Sequence, residues 1–561
     1  MSATASPPHN TPAATHEVRN QVPPLVGHNT YVSNTPLVEG CRREGAAWAE
    51  QRLHAIGELA GSAQAREWGE QANRNPPVLR THDRYGNRID EVDFHPAWHE
   101  LLEVAVGHEL HALPWRNPRE GAHVARAGLF MAWSVEAGHG CPISMTYSGV
   151  PALRAQPEIA AEWEPRMLST TYDRRFIPAS EKNGVLLGMA MTEKQGGSDV
   201  RANSTVARPL NGGGAGGEYE ITGHKWFCSA PMCDAFLVLA QTNHEGHAAP
   251  SCFLLPRFTP DGRRNDFHLQ RLKDKLGNRS NASSEVEFRG AWAQMVGEQG
   301  RGVPTIIEMV GHTRLDCVVG SAGGMRSGVE QATHHAAHRS AFGKLLTDQP
   351  LMRNVLADLC VESEAATVTA LRLARSYDAA SEDEHEALFK RLATAVSKYW
   401  ICKRGPAHSA EALECLGGNG YVEESGMPRL YREMPLASIW EGSGNVICLD
   451  VLRALTRTPK SLEAFFGELG EAAGVEPRLD AYVAELRKLF SDGEEIESSA
   501  RRIVERMALA LQGSLLVRHG DPAVADAFCA SRLGGDWGRA FGTLPPGVDF
   551  EAIIERHRPS I

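Results

Sequence analysis

Two short stretches, far apart in the chain, hold the residues best suited to chemistry. MTEKQGGSDV (191–200) offers the hydroxyls of Thr192 and Ser198, and Gly196 and Gly197 let backbone N–H groups come close to a ligand. Just beyond it lies GHKWFCS (223–229). Strict strand alternation there puts Trp226 and Cys228 on one face and Lys225, Phe227 and Ser229 on the other. An aromatic ring and a hydroxyl on one strand face can stack on a flat ring and hydrogen-bond to its edge. The second stretch, IWEGSGN (439–445), carries one carboxylate, Glu441, beside Trp440 and the small residues Gly442, Ser443 and Gly444. Such a turn lets the backbone approach a ligand while the carboxylate leaves bulk water, which raises its pKa toward the range of a useful base. A base delivered to a flat redox ring suits removal of a proton and a hydride from adjacent carbons.

Further motifs are individually modest. In HRSAFGKLLTDQPLM (338–352), Arg339 precedes Phe342-Gly343 and Gln349 starts the next helix. A guanidinium is a bidentate phosphate ligand, although an Arg near a helix end followed by Gly also reads as a simple cap. Gly417, Gly418 and Gly420 in EALECLGGNGYVEE (411–424) end a helix and allow close approach. Arg432 and Glu433 read as a local structural pair. Gly212, Gly214 and Gly217 satisfy G-x-G-x-x-G but precede a strand instead of opening a helix, so they read as a hairpin loop and not a dinucleotide site.

The elements that must hold these residues change texture along the chain. Residues 1–40 form an extension whose first 25 residues look disordered. Apolar residues recur at helical spacing over 41–187. Residues 188–300 contain short β-branched and aromatic runs such as 219–227, 235–242, 251–256 and 284–289, separated by Gly, Pro and Asn. They predict an antiparallel barrel or sandwich. Long helices with short joints over 301–455 predict an antiparallel bundle. A helical extension follows over 456–561.

The 561 residues, 42% apolar and 23% charged, suffice for several cores, with a length prior of roughly four domains. A net charge of -11 argues against a surface built throughout for nucleic acid. Eleven cysteines without a Cys-x-x-Cys read as buried thiols in a reducing, cytoplasmic setting; no metal site is expected. No secretory signal or membrane-spanning run is visible.

In combination and order, the motifs resemble the acyl-CoA dehydrogenase superfamily over roughly residues 95–455. NPPVLRTHDRYGNR (75–88), CPISMTY (141–147), NRSNASSEVEF (278–288), PRLYREMP (428–435) and the extra C-terminal helices resemble its AidB-like branch, flavoproteins linked to the bacterial adaptive response to DNA alkylation. The resemblance implies a mainly α, α+β fold: an N-terminal helical domain, a middle antiparallel β-domain, a four-helix bundle and a further helical domain. It implies FAD, an acyl-CoA thioester substrate and a homotetramer built as a dimer of dimers. Position by position, it implies that Met191, Thr192, Gly197 and Ser198 contact the flavin. Phe227 would flank the isoalloxazine, Cys228 would belong to the cofactor-binding set, and Ser229 would lie near the ring's reactive edge. Arg339, Phe342, Gln349, Gly417 and Gly418 would reach the adenine-diphosphate portion across a subunit interface. Trp440, Ser443 and Asn445 would bind FAD, Glu441 would be the base, and Arg314 would lie near the thioester pocket. Two departures bear on substrate access: Lys194-Gln195-Gly196 stands where many members have Gly-Ala-Gly, and Trp440 stands where Tyr is usual.

The resemblance also implies an alternative, a DNA-binding flavoprotein with little turnover that uses its C-terminal domain. Residues 451–561 hold 14 Lys and Arg against 17 Asp and Glu, which is not the basic balance of a DNA module. Arg501, Arg502 and Arg506 do fall at helical spacing. An oxidase or monooxygenase using O₂ is a third reading within flavin chemistry.

Overall fold

The computed structural model describes residues 15–242, 249–490 and 496–560. The disorder expected for the first 25 residues falls largely on residues 1–14, outside the described residues. From Asn20 onward the chain is anchored. Asn20 exchanges two 2.8 Å hydrogen bonds with the Ser340 backbone, and Leu25, Tyr31 and Leu37 are buried. The first helix, Thr35–Arg43, therefore starts inside the stretch expected to be an extension.

Helices dominate 41–167, as the periodicity predicts, interrupted by a hairpin of β1 (Val78–His82) and β2 (Arg88–Asp93); residues 168–186 run as loop with one 3-10 turn at Ala179–Glu181. Helical patterning hid these strands; the signal was the Asp83–Asn87 turn, where the Asp83 carboxylate accepts from the Tyr85 and Asn87 N–H groups.

The middle sheet comprises β3 (Leu187–Ala190), β4 (Val206–Pro209), β5 (Glu218–Ser229), β6 (Ala235–Ala240), β7 (Ser251–Pro256), β8 (Phe267–Leu272) and β9 (Ser283–Val296). Their order is β3-β6-β7-β9-β5-β4, with β8 on β9. All pairings are antiparallel except β3 with β6. A parallel bridge from Val206 to Gln241, just past β6, brings the β4 edge back toward the opposite side, as in a small barrel. β6 (AFLVLA) and β7 (SCFLLP) are buried along their whole length, which explains their unbroken apolar sequences.

The bundle is built on α1 (Gly302–His338), α2 (Pro350–Ala379) and α3 (Glu384–Glu414). Asp383 caps α3, accepting from His385 N at 2.8 Å. The short helix Met427–Ala437 lies across α1 and α3, where Met434 packs so tightly that a Cβ on Gly324 or Gly405 would fall 2.7 or 2.6 Å from its side chain. That packing fixes where the following turn, 438–443, is delivered. α4 (Gly444–Arg457) leaves the turn, and α5 (Ile496–His519) of the C-terminal extension packs on α2, α3 and α4. Among the described residues, no helix is long and apolar enough to cross a membrane.

Candidate active site

Glu441 sits in a left-handed backbone conformation, φ 57°, followed by Gly442 at φ 104°. A non-glycine residue there stores strain on the order of 1–3 kcal/mol. Surrounding contacts impose it. Lys398 of α3, almost wholly buried, donates to the carbonyls on either side, Trp440 O at 2.8 Å and Gly442 O. Arg314 Nε of α1 donates to the Glu441 carbonyl at 3.0 Å, while its Nη1 pairs with Asp450 at 2.8 Å. Arg391 pairs with the same Asp450 at 2.9 Å. The Glu441 side chain is aimed at α1, where Thr313 Oγ1 donates to Oε2 at 2.7 Å. Burial raises the Glu441 carboxyl above its usual value; the Thr313 hydrogen bond, Arg314 and Lys398 oppose that rise, and Asp316 adds to it.

The sheet half is tied together by groups absent from the expected site. Glu193 and Lys225, fully buried, pair at 2.8 Å. Burial works against both charges, yet Lys225 holds the Glu193 carboxyl well below the usual range, and the Lys225 ammonium is drawn down to about 8. With the 2.8 Å bond from Trp226 N to Thr192 O, this pair locks the 191–200 turn onto β5. Strict alternation fails on β5, because the pairing register shifts between Lys225 and Cys228. Lys225 and Cys228 turn inward and Phe227 is left 47% exposed. Cys228 is therefore packed in the β-domain core, its carbonyl taken by Ser284 Oγ at 2.8 Å, and its side chain presents nothing to a cofactor.

Two anchors join the halves. Glu433 accepts both its bonds from Asn278 N, at 2.7 and 2.9 Å, across the junction between the β8–β9 connection and the helix leading to Glu441. Arg432 pairs instead with Glu423, so the expected Arg432–Glu433 pair does not form. Trp440 packs against the β-domain core, and Cys141 lies against Ser229 within electrostatic reach of Glu441. A cavity of about 540 Å³ between the β1–β2 hairpin and the β5–β6 turn has Pro142, Ala230 and Cys233 in its wall, next to Cys141 and Ser229.

These residues fit a flat cofactor. The Trp440 indole N–H is buried without a partner, Phe227 is about half exposed with the Lys273 ammonium 4.6 Å from its ring, and Thr192 and Ser229 offer hydroxyls. Gly197 approaches Thr192 so closely that a Cβ would fall 2.5 Å from its Oγ1. Ser198, Ser443 and Asn445 are exposed, and Met191 is partly buried. The remaining expected ligands lie elsewhere. Arg339 ends α1 and donates to Asn20 O; Phe342 is fully exposed at a hairpin tip; Gln349 Nε2 donates to Ala341 O at 3.0 Å. Gly417 and Gly418 are exposed past α3. From Thr313 to His338, α1 climbs about 38 Å at ~1.5 Å per residue, so one chain does not bring the Arg339 hairpin to Glu441. The three arginines of α5 separate: Arg501 bonds Asn445 Oδ1 at 2.8 Å, Arg506 covers the Tyr482 ring, and Arg502 faces solvent. Sequence reasoning passed over Thr313, Lys398 and Asp450, whose only signal was their place on helices facing the turn.

A helical domain, a small sheet and a bundle that meet around one half-buried carboxylate define an acyl-CoA dehydrogenase-type flavoenzyme. Three family signatures match in order: Adaptive response protein AidB N-terminal domain over residues 20–174, the acyl-CoA dehydrogenase middle domain over 188–291, and the acyl-CoA dehydrogenase C-terminal domain over 300–456. The chain is 46% identical to AidB of Escherichia coli over 523 residues, 92% of this chain and 94% of that protein. It is 30% identical to acyl-CoA dehydrogenase family member 11 of Caenorhabditis elegans, over 82% of this chain and 78% of that one. The crystal structure of Caenorhabditis elegans ACDH-11 in complex with C11-CoA superposes with a TM-score of 0.83 at 28% identity, covering 94% of this chain and 93% of that one. The chain belongs to the acyl-CoA dehydrogenase family, in its AidB-like branch, and is an FAD-dependent oxidoreductase.

Proposed function

We propose that the chain α,β-dehydrogenates an acyl-CoA thioester with Glu441 as the base. The observation that carries this is a half-buried carboxylate, held in a strained turn by Lys398 and Arg314 and hydrogen-bonded by Thr313, with the neighbouring Trp440 packed on the β-domain. Thr313 orients the carboxylate toward the α-proton, and the Glu441 backbone N–H polarises the thioester carbonyl. When bound, FAD supplies the acceptor for the β-hydride. Thr192, Ser198 and Ser229 hydrogen-bond it, Phe227 flanks its ring, and Met191, Gly197, Trp440, Ser443 and Asn445 line its path. Arg314 acts on substrate indirectly, by fixing the turn that bears the base. The C11-CoA bound by the nematode relative supports a thioester ligand.

The holoenzyme in this reading is a homotetramer. Arg339, Phe342, Gln349, Gly417 and Gly418 of one copy complete the cofactor site of another. The distance along α1 and the exposure of Phe342, Leu351 and Tyr421 support that assembly. Eleven free, buried thiols suit a reducing cytoplasm. The test is anaerobic mixing with a panel of acyl-CoAs. The flavin should bleach in the wild type and stay yellow in Glu441→Gln; equal bleaching in both overturns the assignment. Within one chain the α5 arginines have different neighbours, Arg501 at Asn445 and Arg506 at the Tyr482 ring, so they do not by themselves carry the DNA-binding alternative.

A further inference from the structure

The start of α4 is flanked by two cations from two different helices. Lys403 comes from α3 and Arg501 from α5, in the C-terminal extension beyond the residues matched by the acyl-CoA dehydrogenase C-terminal domain. A Cβ on Gly444 would lie 2.7 Å from Lys403 Cε, 3.2 Å from its Nζ and 3.3 Å from Arg501 Nη2, so both cationic groups converge on the Ser443–Gly444–Asn445 backbone. Arg501 Nε donates to Asn445 Oδ1 at 2.8 Å. The other ionisable neighbours are Cys448 one turn on, the Tyr399 ring 5.8 Å from Lys403 Nζ, and Glu505 on α5 itself. None of them forms an ion pair with either cation, and no carboxylate among the described residues does. Most other well-placed cations around Glu441 are paired, Arg314 and Arg391 with Asp450 among them. Two converging, unneutralised cations repel each other unless an anion joins them.

We propose that Lys403 and Arg501 form a phosphoester subsite that holds the diphosphate of the bound FAD, so that the C-terminal extension takes part in retaining the cofactor. This rests on the FAD reading of Ser443 and Asn445. Arg501 also positions Asn445, because its guanidinium reaches the side-chain oxygen while its other nitrogens remain free for phosphate oxygens.

The test is titration of the deflavinated protein with FAD, riboflavin and coenzyme A, followed by protein fluorescence. Lys403→Met and Arg501→Met should each loosen FAD at least tenfold and leave riboflavin, which has no phosphate, unchanged. Arg501→Lys should recover part of the loss, and the exposed control Arg502→Gln should bind FAD as the wild type does. The salt dependence of FAD affinity should flatten in the two Met variants. FAD affinity equal to wild type in both, equal losses for FAD and riboflavin, or a loss confined to coenzyme A would each overturn the subsite. A wild-type protein that takes up no FAD would overturn the functional reading itself.

Discussion

Thr313 Oγ1 donates a 2.7 Å hydrogen bond to Glu441 Oε2, joining the first half of α1 to a turn more than a hundred residues later. The bond favours the ionised carboxylate, the form a base needs. Thr313→Val removes it, so the Glu441 pKa should rise. A hydrogen bond to a charged group is worth about 1.5–3 kcal/mol, and its loss leaves burial to raise the carboxyl further. The acid limb of the pH–rate profile for flavin bleaching should shift upward; an unmoved limb would show that the bond has no catalytic role.

Glu441→Gln keeps the shape of the turn and removes the base. The bleaching rate should fall by roughly 10²–10⁴-fold, with the visible FAD spectrum intact. Stopped-flow absorbance decides this.

Glu441→Gly should separate stability from activity. The φ of 57° suits glycine, and the substitution also removes a carboxyl whose ionisation burial disfavours. Stability should rise by about 1 kcal/mol in denaturant unfolding while turnover disappears. A clear loss of stability would mean that the turn is not strained.

The C-terminal helix Phe550–His557 docks through His557, whose Nε2 lies 3.0 Å from Glu364 Oε2. Burial opposes charge on both. Even so, His557 and Arg556 pull Glu364 from 4.5 down to about 2, and Cys360 and Glu364 lift His557 from 6.5 to about 10. The depressed carboxyl contributes stability that is present above about pH 4.5 and lost as pH falls through about 2. The raised imidazole contributes stability that is complete below about pH 6.5 and lost as pH rises through about 10. Glu364→Gln should therefore cost about 3–5 kcal/mol at neutral pH and flatten both edges of the stability–pH curve. Urea unfolding across pH checks both.

Local patterning was enough to reveal the helical and sheet regions, because apolar spacing and the unbroken runs 235–240 and 251–256 report burial directly. It also singled out Glu441, Thr192, Phe227 and Ser229, since a carboxylate among small residues and an aromatic–hydroxyl strand are visible in one dimension. Three features escaped it. The register shift after Lys225 turned Cys228 inward, because a bulge depends on the partner strand β9. The β1–β2 hairpin was read as helix because its strands are short and mostly polar. Thr313 and Lys398 carried no local mark, and Arg501 was marked only as one of three arginines at helical spacing.

Residue type and order alone determined the class of chemistry, because a base and a ring-binding surface need particular side chains wherever they sit. Only the tertiary structure decided how that base is held, charged and oriented. Its strained backbone is imposed by Lys398 and Arg314 from two other helices, and its ionisation is balanced between burial and Thr313. Those forces act through space over a few ångströms, between positions whose distance along the chain says nothing about their contact.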